Sequence, residues 1–369
     1  MTTPPPPSAP SDRIPPAARA STADDHAPDS APAGTRRRLA LRTVGWWAHG
    51  LLRAWAALML LVYGGAKLTL MQFGIEDTGS ALTTFGEMSP MGLLWRFVGF
   101  SPTFQLLSGL AEVGAGLLLL WRRTTAIGAL IGVADMVFVF VLNMAYDVPV
   151  KVLSALIALG CAVILVPWVP RLFRAFTGAG PIGRGPLPRL IPVRRVERIA
   201  DVVVPVLVVL LAGVIGAGSW WMASQMTTDT AKPVGVWTVV QDAKKPAAQL
   251  AEDRRISAIA LGGIAPPTGS PMAQVRYVDG TLETGRWRRD GDRRLVLELR
   301  PLRGLHQGVK EWLDMPSREV HLTVADAGGG RLRLTGAGMD IVVAPDEERS
   351  VLYDRGFSWS PRPDDPYNR

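Results

Sequence analysis

Six residues in the N-terminal half carry side chains able to do chemistry where such groups are costly: Lys67, Glu112, Asn143, Tyr146, Asp147 and Lys151. Lys67 and Glu112 lie inside long apolar runs. Lys67 is 14 positions past Arg53, about 21 Å along a helix rising about 1.5 Å per residue. That leaves it about 9 Å short of the far edge of a hydrocarbon core about 30 Å thick. Glu112, beyond Thr103 on the next run, comes out about 13 Å from the same edge. An acid and a base at similar depth on neighbouring antiparallel helices are expected to face inward and pair. Such a pair either fixes helix packing or forms the charged end of a ligand pocket. Asp135, near the middle of the third run, is a further ionisable group whose partner the sequence does not fix.

The other four residues belong to "NMAYDVPVK", Asn143 to Lys151. Pro149 fits the first turn of the helix that follows, where its missing N–H costs nothing. Asp147 is placed to cap that helix and meet the positive end of its dipole. Lys151 can pair with Asp147 or extend to the membrane interface. Those structural roles leave Asn143 and Tyr146 unexplained, and both end the third run at the level of Lys67 and Glu112. The convergence predicts a polar pocket for a ligand or partner, built from all six residues. No nucleophile–base set or metal-ligand spacing is visible; His26, His49, His306 and His321 are scattered. No catalytic or metal residue is therefore assigned, and an autonomous enzyme is disfavoured. The single cysteine, Cys161, sits in an apolar run and reads as a small buried hydrophobe.

Five runs must position these groups: Ala54 to about Met71, Thr103 to Trp121, Thr125 to about Asn143, Val150 to Trp168, and Asp201 to Met222. Arginines alternate from side to side. Arg36, Arg37, Arg38, Arg42 and Arg53, then Arg122 and Arg123, then Arg171 through Arg198 fall on one side, against Arg96 and Lys151 on the other. Basic loops stay cytoplasmic. The expected order is a disordered Pro-rich cytoplasmic tail (1–43), a four-helix membrane domain (44–172), a basic cytoplasmic loop (173–200), a fifth transmembrane helix (201–222) and an extracytoplasmic β-domain (223–369). The net charge of +8 follows from this topology, with no nucleic acid expected as a partner.

The stretches "YGGAKL", "GEMSPMGLLWRFVGFSP", "SGLAEVGAGLLLLWRRT" and "NMAYDVPVK" resemble a branch of the DoxX-like membrane proteins, over about residues 50–172. In that branch a fifth helix and an outer β-domain commonly follow, with a closing sequence resembling "RGFSWSPRPDDPYNR". The resemblance implies a four-helix core and, for some members, roles in thiosulfate oxidation with quinone as acceptor or in membrane oxidoreductase assemblies. No cofactor is evident in this chain. A redox role needs a lipid quinone or a redox partner protein.

From Gly235 onward the pattern changes to period two. "GVWTVVQ", "ISAIAL", "AQVRYV", "TGRWRR", "RLVLELR", "EVHLTV", "RLRLTG", "DIVVA" and "SVLYDRGF" read as strands, and Asp279-Gly280 and Asp290-Gly291 as hairpin turns. About eight short strands predict an all-β lipocalin-like barrel, either enclosing one small apolar ligand or packed solid. Arg286 to Arg289 form a basic aromatic patch, read as a solvated strand face or a contact with anionic lipid. Three functions remain open: a quinone-linked or non-catalytic partner subunit of an envelope redox assembly, a carrier or sensor of a small apolar ligand or lipid, and a structural envelope protein.

Overall fold

The computed structural model of the chain describes residues 33–181, 194–267, 269–304 and 306–362. Most of the expected tail (1–32), part of the basic loop (182–193) and residues 363–369 of the closing sequence lie outside these. Residues 33–43, assigned to the tail by composition, are instead helical. The chain divides between Trp47 and Ala48 into two units, and the side-chain contacts described below lie within the second.

The helices ahead of the barrel are α1 (Ala33–Leu68), the short α2 (Pro90–Phe100), α3 (Pro102–Leu120), α4 (Thr125–Ala145), α5 (Lys151–Leu165), α6 (Val169–Thr177) and α7 (Arg194–Ser224). Among the described residues, five stretches are long and apolar enough to cross a membrane: Ala40–Leu68, Pro102–Leu120, Thr125–Ala145, Lys151–Thr177 and Arg198–Ser224. Their outward side chains are apolar too, among them Leu51, Leu58, Leu107, Leu110 and Val209. No part of the α7 stretch is buried. Such a surface is stable where lipid replaces water, so the protein is membrane-associated. The first run ends earlier than expected, at Leu68. α2 was not foreseen; it starts as α3 does, with a serine whose side chain accepts from the third N–H and a proline at the first helical position (Ser89-Pro90, Ser101-Pro102).

Eight antiparallel strands close a barrel: β1 (Gly235–Asp242), β2 (Ile256–Leu261), β3 (Met272–Tyr277), β4 (Leu282–Arg289), β5 (Arg294–Pro301), β6 (Arg318–Gly328), β7 (Arg331–Gly336) and β8 (Met339–Pro345). Each strand pairs with the next and β8 with β1, the up-and-down order of the lipocalin-like form. Alternation fills the interior with Trp237, Ile259, Leu261, Val275, Trp287, Leu297, Leu322 and Val343, among others. A register shift between Ile256 and Ala258 turns both Ile256 and Ile259 inward. "SVLYDRGF" is not a strand. Asp346 caps a helix over Glu347–Asp354 by accepting from the Arg349 N–H at 3.0 Å, so the local capping signal overrides the β-prone composition. In the basic aromatic patch Arg286, Arg288 and Arg289 stay on an exposed strand face, as expected, but Trp287 is in the core, donating to the Gly262 carbonyl at 2.9 Å, with Arg289 paired to Asp229 at 2.8 Å.

The loop between α1 and α2 grips the barrel's outer wall. Leu82 joins Val236, Ala258, Ala260 and Leu282, the outward residues of β1, β2 and β4, in one buried cluster. Asp77 accepts from the Gly79 and Ile264 N–H groups at 2.9 and 2.8 Å. A Cβ on Gly79 would lie 2.6 Å from the Met272 carbonyl oxygen, so only glycine allows this approach. On β3, Gln274 accepts from the Leu82 N–H at 3.0 Å and donates to Thr83 Oγ1 at 2.8 Å. Arg276 forms a fork with both Glu87 carboxylate oxygens, at 2.6 Å each.

The Arg276 hydrogen bonds draw the Glu87 carboxyl down from its ordinary 4.5 to about 2. A carboxylate depressed in the folded state stabilises above its unfolded value, and the contribution is lost as pH falls through the folded one. The loop is expected to loosen between about pH 4.5 and 2, seen as faster amide hydrogen exchange of Leu82 and Ile264. Glu87→Gln should exchange faster already at neutral pH and show less acid dependence over that window.

Candidate functional site

The buried charges are brought together by a near-contact of backbones. A Cβ on Gly64 of α1 would lie 2.8 Å from the Glu112 Cβ and the Val113 N of α3, and 2.9 Å from the Gly109 carbonyl oxygen. Gly109 and Gly116 repeat the arrangement from α3, against Lys67 Cβ at 3.0 Å and the Ala57 carbonyl oxygen at 3.1 Å. Small residues let membrane helices approach this closely. Gly128 does the same for α4 against α3, while Gly132 meets the fully buried Cys161 of α5.

With α1 and α3 so close, Lys67 Nζ reaches Glu112 Oε1 at 2.5 Å, both side chains 7% exposed or less. The pairing expected from depth is therefore present. The second carboxylate oxygen, Glu112 Oε2, is buried without a hydrogen-bond partner among the described residues. Beside the pair lies a cavity of about 80 Å³, walled mainly by Leu60, Phe104, Met136, Leu142 and Ile157, with Tyr63, Ser108 and Asn143 as polar members. Roughly 10–15 Å³ of such volume holds one water, so the space admits a small head group or a short apolar segment. Unpartnered buried acceptors are rare and costly; a donor-bearing ligand placed there would satisfy Oε2.

The six predicted residues separate into two groups. Lys67, Glu112 and Asn143 line the cavity; Asn143 also donates to Ser154 Oγ at 3.1 Å. Tyr146, Asp147 and Lys151 do not line it. Tyr146 packs on the Leu94, Val98 and Val148 cluster under α2. Asp147 is 80% exposed, pairs with Lys151 one helical turn on, and has a positive φ of 50°. The Lys151 hydrogen bond holds the Asp147 carboxyl below its usual range. Asp147 does not cap α5. That helix begins only at Lys151, after a turn closed by the Val148 N–H on the Asn143 carbonyl at 2.9 Å, which leaves Pro149 ahead of the first helical position. The ion pair is the part of the structural reading that holds.

Several polar residues of the site were missed. Gln105, 0% exposed, donates to the Gly74 carbonyl at 3.1 Å and accepts from the Phe73 N–H at 3.3 Å, tying the start of the loop to α3. Gln72 lines the cavity with its own Oε1 unpartnered among the described residues. The signal for Gln105 was in the sequence: Gln105, Ser108 and Glu112 recur at helical spacing along one stripe of an otherwise apolar helix.

Because the site depends on backbone contact, Gly64→Ala is expected to force α1 from α3 and destabilise the bundle by about 1–3 kcal/mol. Gly65→Ala, with nothing within 4 Å of the added carbon, is expected to be neutral or slightly stabilising. Thermal unfolding of the two variants in detergent checks the contrast.

No family model and no solved structure matches the chain. Over 126 residues it is 34% identical to the uncharacterized protein YwoB of Bacillus subtilis (strain 168), a match that covers 34% of this chain and 77% of that protein. By that likeness, the chain belongs to the same family as YwoB.

Proposed function

We propose that this protein is a DoxX-like membrane subunit of an envelope redox assembly, whose four-helix core receives the head group of a lipid quinone. One observation carries the reading: an apolar cavity within the bundle ends at a buried Lys67–Glu112 pair with a free carboxylate oxygen. An ammonium beside an unpartnered acceptor suits a group that both accepts and donates. A quinol has such oxygens: its hydroxyl donates to Glu112 Oε2 and its second oxygen accepts from the polar wall. The arginines at one end of the spans, including Arg53, Arg122, Arg123, Arg171 and Arg174, support a cytoplasmic N-terminus and an extracytoplasmic barrel.

A second reading, a carrier or sensor of a small apolar ligand, draws support from the barrel. One mouth holds a cavity of about 120 Å³ with Leu297, Leu299 and Val320 as floor and Tyr277 and Arg318 at the rim.

The test is equilibrium binding of a short-chain quinol to the full chain in lipid nanodiscs. Saturable binding is expected, weakened about ten- to a hundredfold in Glu112→Gln, as for loss of a hydrogen bond to a charged group. Asp147→Asn, which touches only an exposed ion pair, is expected to bind as the wild type does. No saturable binding, or equal binding by Glu112→Gln, overturns the quinone reading. A lipid that copurifies and is displaced by substitutions at Tyr277 instead favours the carrier.

A further inference from the structure

A third ionisable group stands beside the pair. Asp135 is the eleventh of the 21 residues of α4, about 15 Å from either end at about 1.5 Å per residue, and hence near the middle of a hydrocarbon core about 30 Å thick. Its Oδ2 is buried with no hydrogen-bond partner among the described residues, as is Oε2 of Glu112. Three titratable groups face Asp135 from the helices packed around α4: Lys67 from α1, Glu112 from α3 and Cys161 from α5, each within electrostatic reach. Cys161 is a buried thiol and brings no positive charge. The cluster thus has two carboxyl groups and one ammonium. Lys67 is committed to Glu112 at 2.5 Å, so an ionised Asp135 would be an uncompensated charge at mid-membrane. Isolated charges there are neutralised rather than tolerated.

We propose that Lys67, Glu112 and Asp135 form a proton-binding site holding one exchangeable proton at neutral pH, with Asp135 as the acid. When Lys67 is freed from Glu112 the proton passes from one carboxyl to the other, Asp135 –COOH + Glu112 –COO⁻ → Asp135 –COO⁻ + Glu112 –COOH, so the site keeps its single proton and each ionised carboxylate has the ammonium beside it. The trigger is a ligand whose hydroxyl takes over the Glu112 carboxylate and lets the ammonium swing to Asp135. Binding in the cavity then moves the proton from Asp135 on α4 to Glu112 on α3, and ligand departure returns it. The trigger rests on the cavity being a ligand site; the resting proton does not.

Infrared difference spectroscopy of the full chain in lipid nanodiscs, with no ligand added, reads the resting proton directly. At neutral pH the wild type is expected to show the C=O stretch of a protonated carboxylic acid that shifts in heavy water, and Asp135→Asn to lose it. Glu112→Gln is expected to lose it as well, because Lys67 then pairs with Asp135 and ionises it. Lys67→Met is expected to show a second acid band, since neither carboxyl keeps a counter-charge. No acid band in the wild type, or one that survives either Asp135→Asn or Glu112→Gln, overturns the proposal. Neither result depends on whether a quinol binds.

Discussion

A carboxylate in hydrocarbon must have a partner, and that requirement organises the bundle. Glu112 can be ionised only because Lys67 is 2.5 Å away, and Lys67 is there only because Gly64 and Gly109 let two helices run nearly backbone to backbone. Removing one member of such a pair strands the other, at a cost of about 3–5 kcal/mol. The cavity, the stripe of Gln105 and Ser108, and the burial of Asn143 all sit around this fixed point.

The barrel depends on the same half of the molecule in another way. A closed eight-stranded sheet needs no edge protection, yet the outward faces of β1, β2 and β4 present Val236, Ala258, Ala260 and Leu282, covered by Leu82. Gln274, a polar residue on the outer face, is 1% exposed because the loop occupies both ends of its amide. Barrel and loop therefore share a buried surface, so the wall facing the loop is part of the fold of both.

Periodicity made much of this legible. Apolar length gave the spans, alternation gave the eight barrel strands, and depth arithmetic put Lys67 and Glu112 together. What stayed hidden has physical reasons. "SVLYDRGF" has strand composition, but one aspartate before it decides for helix. "NMAYDVPVK" reads as a capped helix start because Asp and Pro have the right types, and the later start of α5 follows from how the Val148 N–H closes its turn. The inward turn of Trp287 follows from alternation alone, with three exposed arginines around it on the same strand. The clasp of Leu82 on the barrel joins segments far apart in the chain, and no local pattern announces such a contact.

That separation has a bearing on synthesis. Asp77 and the Ile264 amide it binds are 187 positions apart. At about 5–20 residues per second, the loop emerges roughly 10–40 s before the strand it grips. During that interval Leu82 and the acidic turn have no partner, while the helices around Glu112 can already assemble. The loop is therefore a waiting template: the last third of the chain folds against a surface that the first third has set in place. A nascent chain stopped after α7 would carry a finished membrane core and an open hand.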